Sequence, residues 1–207
     1  MEFILPLLGI AAANLLAAIS PGPSFVLVAR ISVAGSRRAG LAAAAGMVLG
    51  AWLWAVAAIF GLALLFAELA WLYRAVQLVG GLYLAYIAVM IWRGARQPVD
   101  VDLKSSATRD PARAFVVALL SQLSNPKVVV FFGSVFVALL PAHAPAWVWI
   151  ATLAIVLFNE TLWYTTLALS FSAAPVRRVY ASIKVWLDRA VAGVLGALGL
   201  KLVLDSR

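Results

Sequence analysis

Residues 14–29 read NLLAAISPGPSFVLVA, and residues 117–132 read VALLSQLSNPKVVVFF. Each is an apolar run broken near its middle by proline: Ser20-Pro21-Gly22-Pro23-Ser24 in the first, Ser124-Asn125-Pro126-Lys127 in the second. Proline lacks a backbone N–H and clashes with the preceding turn, so a helix kinks or stops there. If the run lies in lipid, the freed carbonyls must find partners in protein or water. The helix that restarts, from about Ser24 in the first run, offers unpaired N–H groups and a positive dipole end, which can receive a carboxylate. Pro21 and Pro126 stand 105 residues apart, about half of the 207-residue chain.

Composition places both runs in a membrane. The chain is 65% hydrophobic and 12% charged, against roughly 45–50% and about 25% in soluble domains. Mean hydropathy is +1.04. Too few polar residues remain to cover a water-soluble surface, and disorder is excluded by the same figures. The acidic start Met1-Glu2 and the lack of Lys or Arg before Arg30 argue for a retained first span rather than a cleaved signal.

Six segments approach the roughly 20 apolar residues that a span requires. They run over about 3–33, 39–66, 71–92, 113–140, 147–171 and 190–204, the last being the shortest. An odd three-span unit reverses its direction when repeated. The expected fold is therefore all-α, with six transmembrane helices in two inverted three-helix repeats whose first and fourth helices are broken at proline. The whole chain, 1–207, forms one transporter domain, with half-repeats at about 1–93 and 113–207 and a cytoplasmic loop at about 94–112. Paired broken segments at corresponding places are the sequence pointer to a transporter site at the repeat interface.

The net charge of +8 comes from 16 basic and 8 acidic residues. In a soluble protein this would suggest nucleic acid, but here it reads as orientation. With the N-terminus outside, twelve basic residues fall on inner connections, among them Arg37, Arg38, Arg93, Arg96, Lys104 and Arg109. Arg74, Lys201 and Arg207 fall outside, and Lys127 lies within a span. The positive-inside rule then places both termini outside. Arg177, Arg178 and Lys184, on an amphipathic stretch, are expected on anionic headgroups. Trp71, Tyr73, Trp92, Trp147 and Trp149 mark the interfaces.

Ionisable groups at membrane depth are costly and usually functional. Lys127 and Glu160 are the two candidates. Either they pair, limiting their desolvation, or they open to substrate and proton. Lys127 would neutralise a carboxylate, and Glu160 would bind an ammonium group or carry a proton. Ser20, Pro21, Gly22, Pro23 and Ser24 at the first break, Asn125 and Pro126 at the second, and Asn159 beside Glu160 complete the candidate substrate site. Asn14, Gln77, Ser121, Gln122, Thr161, Thr165 and Thr166 are further candidates to line the cavity. Gly46-x-x-x-Gly50 and Gly80-Gly81 are read as helix-packing sites.

No catalytic residue, cofactor or metal site is expected. There are no cysteines and one histidine, His143, which is read as a turn residue. Soft-metal transport is thereby disfavoured, although a hard-cation exporter or a channel stays open as the alternative. No phosphate loop or nucleophile elbow supports an enzyme.

Taken together these motifs resemble the lysine exporter/homoserine–threonine resistance (LysE/RhtB) family of amino-acid exporters. The resemblance rests on Ser20-Pro21-Gly22-Pro23 closing a first apolar segment. It continues through Arg37-Arg38, Gly40, Gly46 and Gly50, then Gly80-Gly81-Leu82-Tyr83-Leu84-Ala85-Tyr86, and ends with Asn125-Pro126-Lys127. Ala88 departs from the glycine common there, a matter of packing. The resemblance implies gradient-driven, proton-coupled antiport of amino acids or close derivatives out of the cytoplasm, across the bacterial inner membrane. The partners are then an amino-acid substrate and the lipid bilayer, with no nucleic acid. A homo-oligomer stays open.

Overall fold

The computed structural model describes residues 2–68, 70–97, 108–141, 144–171 and 173–205. Lys104 and His143, with the expectations attached to them, lie outside the described residues. Among the described residues all regular structure is helical. Helix α1 spans Ile4–Ile19, α2 Pro23–Arg30, α3 Arg37–Glu68 and α4 Ala70–Gly94. These are followed by α5 Pro111–Leu123, α6 Pro126–Leu139, α7 Ala146–Ser170 and α8 Ala174–Asp205. A π-helical turn, Ile31–Gly35, follows α2.

Helix starts follow local chemistry. Pro23, Pro111 and Pro126 open α2, α5 and α6 at positions whose N–H would have no helical partner in any case. Asp110 caps α5 by accepting from the Ala112 N–H at 3.0 Å. Asn125 caps α6 in the same way, accepting from the Lys127 N–H at 3.0 Å. Gly22 precedes α2 and supplies no side-chain cap.

By length and composition, residues 37–61 of α3, 77–94 of α4 and the whole of α7 can each cross a membrane. The pairs α1/α2 and α5/α6 pass as bent units, each turned by 55° at its break. The sixth expected segment, 190–204, lies in α8 and does not pass. It holds about 15 residues where a span needs about 20, and Asp188, Arg189 and Asp205 flank it.

Each break leaves a carbonyl that the helix no longer satisfies, and an aromatic donor from a distant helix takes it. The Tyr180 hydroxyl on α8 donates to the Ile19 carbonyl at 2.9 Å. The Trp54 Nε1–H on α3 donates to the Leu123 carbonyl at 3.2 Å. The broken backbone thus finds partners within the protein, as it would have to in a lipid surround.

The most extensive helix contacts join α3 to α5, α4 to α8 and α3 to α7, while the consecutive pair α3 and α4 touch little. Glycines set the close crossings. A Cβ on Gly46 would collide with the Phe115 carbonyl and the Leu119 N–H of α5, and one on Gly50 with Gln122. Gly81 and Gly199 face each other where α4 crosses α8, and a Cβ on Gly199 would sit 2.6 Å from the Gly81 carbonyl oxygen. Small residues let these backbones meet. Ala88 is buried and lies against Gly196, which fits its reading as a packing residue. At the end of α4, the Arg189 guanidinium lies 5.4 Å from the Trp92 ring.

The interior holds two apolar clusters. One gathers Ile10, Leu84, Phe131, Phe132, Val135, Phe136 and Leu195. The other gathers Phe25, Val28, Met47, Tyr164, Phe171 and Tyr180. The outward surface is apolar as well, with Leu5, Phe60, Val79, Ile150 and Phe158 exposed, as a lipid-facing belt requires.

Candidate functional site

A polar cavity of about 40 Å³ lies where the two apolar clusters meet. Ser20, Gly22, Pro23 and Ser24 line it from the first break, and Gln122, Asn125 and Lys127 from the second. Asn14, Glu160 and Tyr164 complete the polar wall, while Phe25, Phe131 and Phe132 close it with rings. The breaks are bonded directly: the Asn125 Nδ2–H donates to Ser24 Oγ at 3.1 Å, and the Ser24 hydroxyl donates to Gln122 Oε1. A wider cavity of about 390 Å³ shares Ser20, Gly22, Pro23 and Lys127 with the first, and opens toward Gly94, Gln97, Lys184 and Asp188.

The two helix restarts are electrically unequal. At α6 the Lys127 N–H is held by Asn125 and the Val128 N–H by the Asn125 carbonyl at 3.0 Å. At α2 there is no side-chain cap. Pro23 has no N–H and the Val26 N–H is taken by the Gly22 carbonyl at 3.0 Å, which leaves the Ser24 and Phe25 N–H groups uncapped, on residues that line the cavity. Of the two, only the first restart can offer backbone donors to an anion.

Lys127 projects from the start of α6 into both cavities. The ion pairs among the described residues are Lys184–Asp188 at 2.7 Å and Lys201–Asp205 at 3.8 Å. Lys127 is in neither, so the direct Lys127–Glu160 pair that the sequence allowed does not form. Asp188 and Glu160 both remain within electrostatic reach of the Lys127 ammonium.

Glu160 is 4% exposed. Its Oε1 accepts from the Asn14 Nδ2–H at 2.8 Å, and its Oε2 has no partner. Asn159 turns away: its Nδ2–H donates to the Ala11 carbonyl at 2.9 Å, and it lines neither cavity. Adjacent helix positions point roughly 100° apart, so Asn159 and Glu160 cannot share one face. Pro21 borders only the wider cavity and Pro126 borders neither.

Lys184 departs from the expected headgroup position. It is buried, bonded to Asp188 and donating to the Gly94 and Ala95 carbonyls at 3.2 and 3.0 Å. A lysine near the end of a neighbouring helix helps satisfy its last carbonyls, of which Gly94 also accepts from the Gln97 N–H at 2.9 Å. Arg178 on the same helix is exposed. Two ionisable wall residues were missed in the sequence. Tyr164 sits one turn after Glu160, a spacing that could have revealed it. Asp188 lies four residues after Lys184, a pairing that reads equally well as a solvated surface. Among the described residues, no three of His, Asp and Glu gather as metal ligands.

The family profile described as LysE type translocator matches residues 15–206. The chain is 30% identical to the threonine efflux protein of Salmonella typhi over 198 residues, covering 95% of this chain and 96% of that protein. It is 28% identical to the threonine efflux protein of Escherichia coli K12 over 200 residues, covering 96% and 97% of the two. It is also 29% identical to the uncharacterized membrane protein YahN of the same strain, over 90% of this chain and 84% of that one. No solved structure gives a significant match. With a matched profile across nearly its whole length, apolar helices and relatives named for efflux, the chain belongs to the LysE type translocator family, as a multi-pass inner-membrane transporter and not an enzyme.

Proposed function

We propose that the protein exports amino acids or close derivatives from the cytoplasm in exchange for protons, through a site between the two broken helices near the membrane midplane. The observation that carries this reading is the cavity lined from both breaks, with an unpaired Lys127 ammonium projecting into it. The substrate carboxylate meets Lys127 and the uncapped start of α2. Glu160 is the coupling carboxylate. In this reading α8 supplies the sixth span, and residues 1–93 and 113–207 are the two inverted halves. The extensive contacts of α3 with α7 and α4 with α8, each joining matching helices of the two halves, support that pairing. Both termini lie outside. The wider cavity, bordered by Gly94 and Gln97 at the start of the basic loop, then faces the cytoplasm and receives substrate. The names of the threonine efflux relatives make threonine the first substrate to try.

Proteoliposomes loaded with labelled threonine, and with other amino acids in parallel, test this with and without an imposed pH gradient. Gradient-driven efflux of at least one amino acid is expected, with KM raised tenfold or more in Lys127→Met. No gradient-dependent flux of any amino acid would overturn the reading. Reporter tags active on one side of the membrane test orientation separately, and a cytoplasmic N-terminus would refute it.

A further inference from the structure

Asn14 and Glu160 carry complementary deficits. Both are almost wholly buried, at 1% and 4% exposure. One hydrogen bond joins them, from Asn14 Nδ2–H to Glu160 Oε1 at 2.8 Å. Of the remaining two oxygens, Asn14 Oδ1 and Glu160 Oε2, neither has a donor. Two orphaned acceptors on directly bonded partners are costly, since a buried polar atom without a partner forfeits its desolvation energy. An amide and an ionised carboxylate cannot correct this between themselves, because the carboxylate only accepts. A single proton corrects both. Placed on Oε2, it turns Glu160 into an O–H donor, and an amide and an acid already joined by one bond can then close into a two-bond ring through Asn14 Oδ1.

The surroundings agree. Lys127 from α6 and Tyr164 from α7 are the ionisable groups that face Glu160, with Asp188 of α8 behind Lys127. Lys127 shares a small, ring-walled cavity with Glu160 yet makes no ion pair to it. An ionised glutamate in a low-dielectric pocket would draw a neighbouring ammonium into contact, whereas a neutral acid satisfied by an amide leaves that ammonium free for a substrate anion.

We propose that Glu160 and Asn14 form a one-proton binding site bridging α7 and α1, occupied in this conformation, with the proton on Glu160 Oε2 and Asn14 as the positioning residue. Loading forms the Oε2–H bond as hydronium, reached through the cavity, gives up one O–H bond and becomes water. Unloading reverses this, and no other group changes. Loss of the proton breaks one of the two bonds and sets the carboxylate against the Asn14 oxygen. This loosens α1 from α7 and leaves a charge that Lys127 can approach. The proposal rests on the reading of the protein as a proton-coupled exporter, but its test does not require transport.

Infrared spectroscopy of the purified protein at neutral pH provides that test. The carbonyl stretch of a protonated, doubly hydrogen-bonded carboxylic acid is expected, shifting down in D2O and vanishing in Glu160→Gln. In Asn14→Leu, where the acid loses its amide, the band moves to higher frequency, and in Asn14→Gln it returns toward the wild-type position. The absence of any protonated-acid band in the wild type would overturn the proposal, as would a band untouched by Glu160→Gln or by Asn14→Leu. If a variant fails to fold, labelling the wild-type glutamate carboxyls with carbon-13 keeps the test decisive: a band that does not move to lower frequency belongs to no glutamate and overturns the proposal. A band behaving as expected in a protein that moves no amino acid would defeat the exporter reading and leave the site standing.

Discussion

The buried pair Lys184–Asp188 invites a quantitative test by Lys184→Met. The two side chains are 8% and 4% exposed and 2.7 Å apart. Removing the ammonium strands the Asp188 carboxylate, whose other contact is the Ser20 hydroxyl at 3.4 Å, the outer limit of a hydrogen bond. It also strips the Lys184 donor from the Ala95 carbonyl and from the Gly94 carbonyl, which keeps only the Gln97 N–H at 2.9 Å. Breaking one side of a buried pair costs about 3–5 kcal/mol. At about 2–4 °C per kcal/mol for a chain of this size, apparent Tm should fall by roughly 6–20 °C. The double change Lys184→Met with Asp188→Leu removes both charges together, and replacing a buried pair with apolar groups is often close to neutral. It should therefore be more stable than Lys184→Met alone, with a coupling of about 2 kcal/mol or more in the double-mutant cycle. Thermal unfolding in detergent, followed by fluorescence-detected size exclusion, reads all four proteins. Additive losses, or a single-variant loss below about 1 kcal/mol, would refute the view that this pair is a desolvated latch between α4 and α8.

Five further variants can be checked by the same unfolding measurement, the last with transport kinetics beside it. Tyr180→Phe and Trp54→Phe each orphan a carbonyl at a helix break, Ile19 or Leu123, and each should cost about 1–3 kcal/mol. Gly199→Ala drives a methyl into the Gly81 backbone and should cost about 1–3 kcal/mol by overpacking. Gly193→Ala, which meets nothing within 4 Å, should be neutral or gain up to about 1 kcal/mol. Asn159→Ala should lower stability by about 1 kcal/mol through its lost bond to Ala11, while the KM for any exported amino acid stays unchanged. A raised KM would return Asn159 to the substrate site.

What the sequence disclosed followed from how rare each signal is in its setting. A proline, a lysine or a glutamate inside an apolar run has few meanings, so the break residues, Lys127 and Glu160 were visible without coordinates. Gly46 and Gly50 were legible because close helix crossings need small residues at a fixed spacing. Lys184 and Asp188 were not, because their distant partners, Gly94 and Ala95 for the lysine and Ser20 for the aspartate, lie about 90 and about 170 residues away and no periodicity connects them. The sequence treated Asn159 and Glu160 as one unit, although helical rotation sends them to different neighbours. The two helix restarts also differ in a way that the sequence carries. The difference was in plain view: asparagine precedes Pro126 and can cap, whereas glycine precedes Pro23 and cannot. The sixth segment, 190–204, was read as the shortest run, and it carries Lys201 inside it with Asp188, Arg189 and Asp205 at its ends.

The contact pattern also bears on how the protein is made. The glycine face of α3 closes on α5, and α3 also packs on α7; both leave the ribosome only after α4 and the basic loop have passed. Until then Gly46 and Gly50 have only lipid or insertion machinery to cover them. A nascent chain halted near residue 100 would hold two long helices that barely touch each other, with their close-packing faces unmatched. Such a fragment should be a preferred target of membrane quality control. Conversely, a separately synthesised second half that supplies α5, α7 and α8 should rescue it, so a transporter split within the basic loop is expected to assemble from two chains.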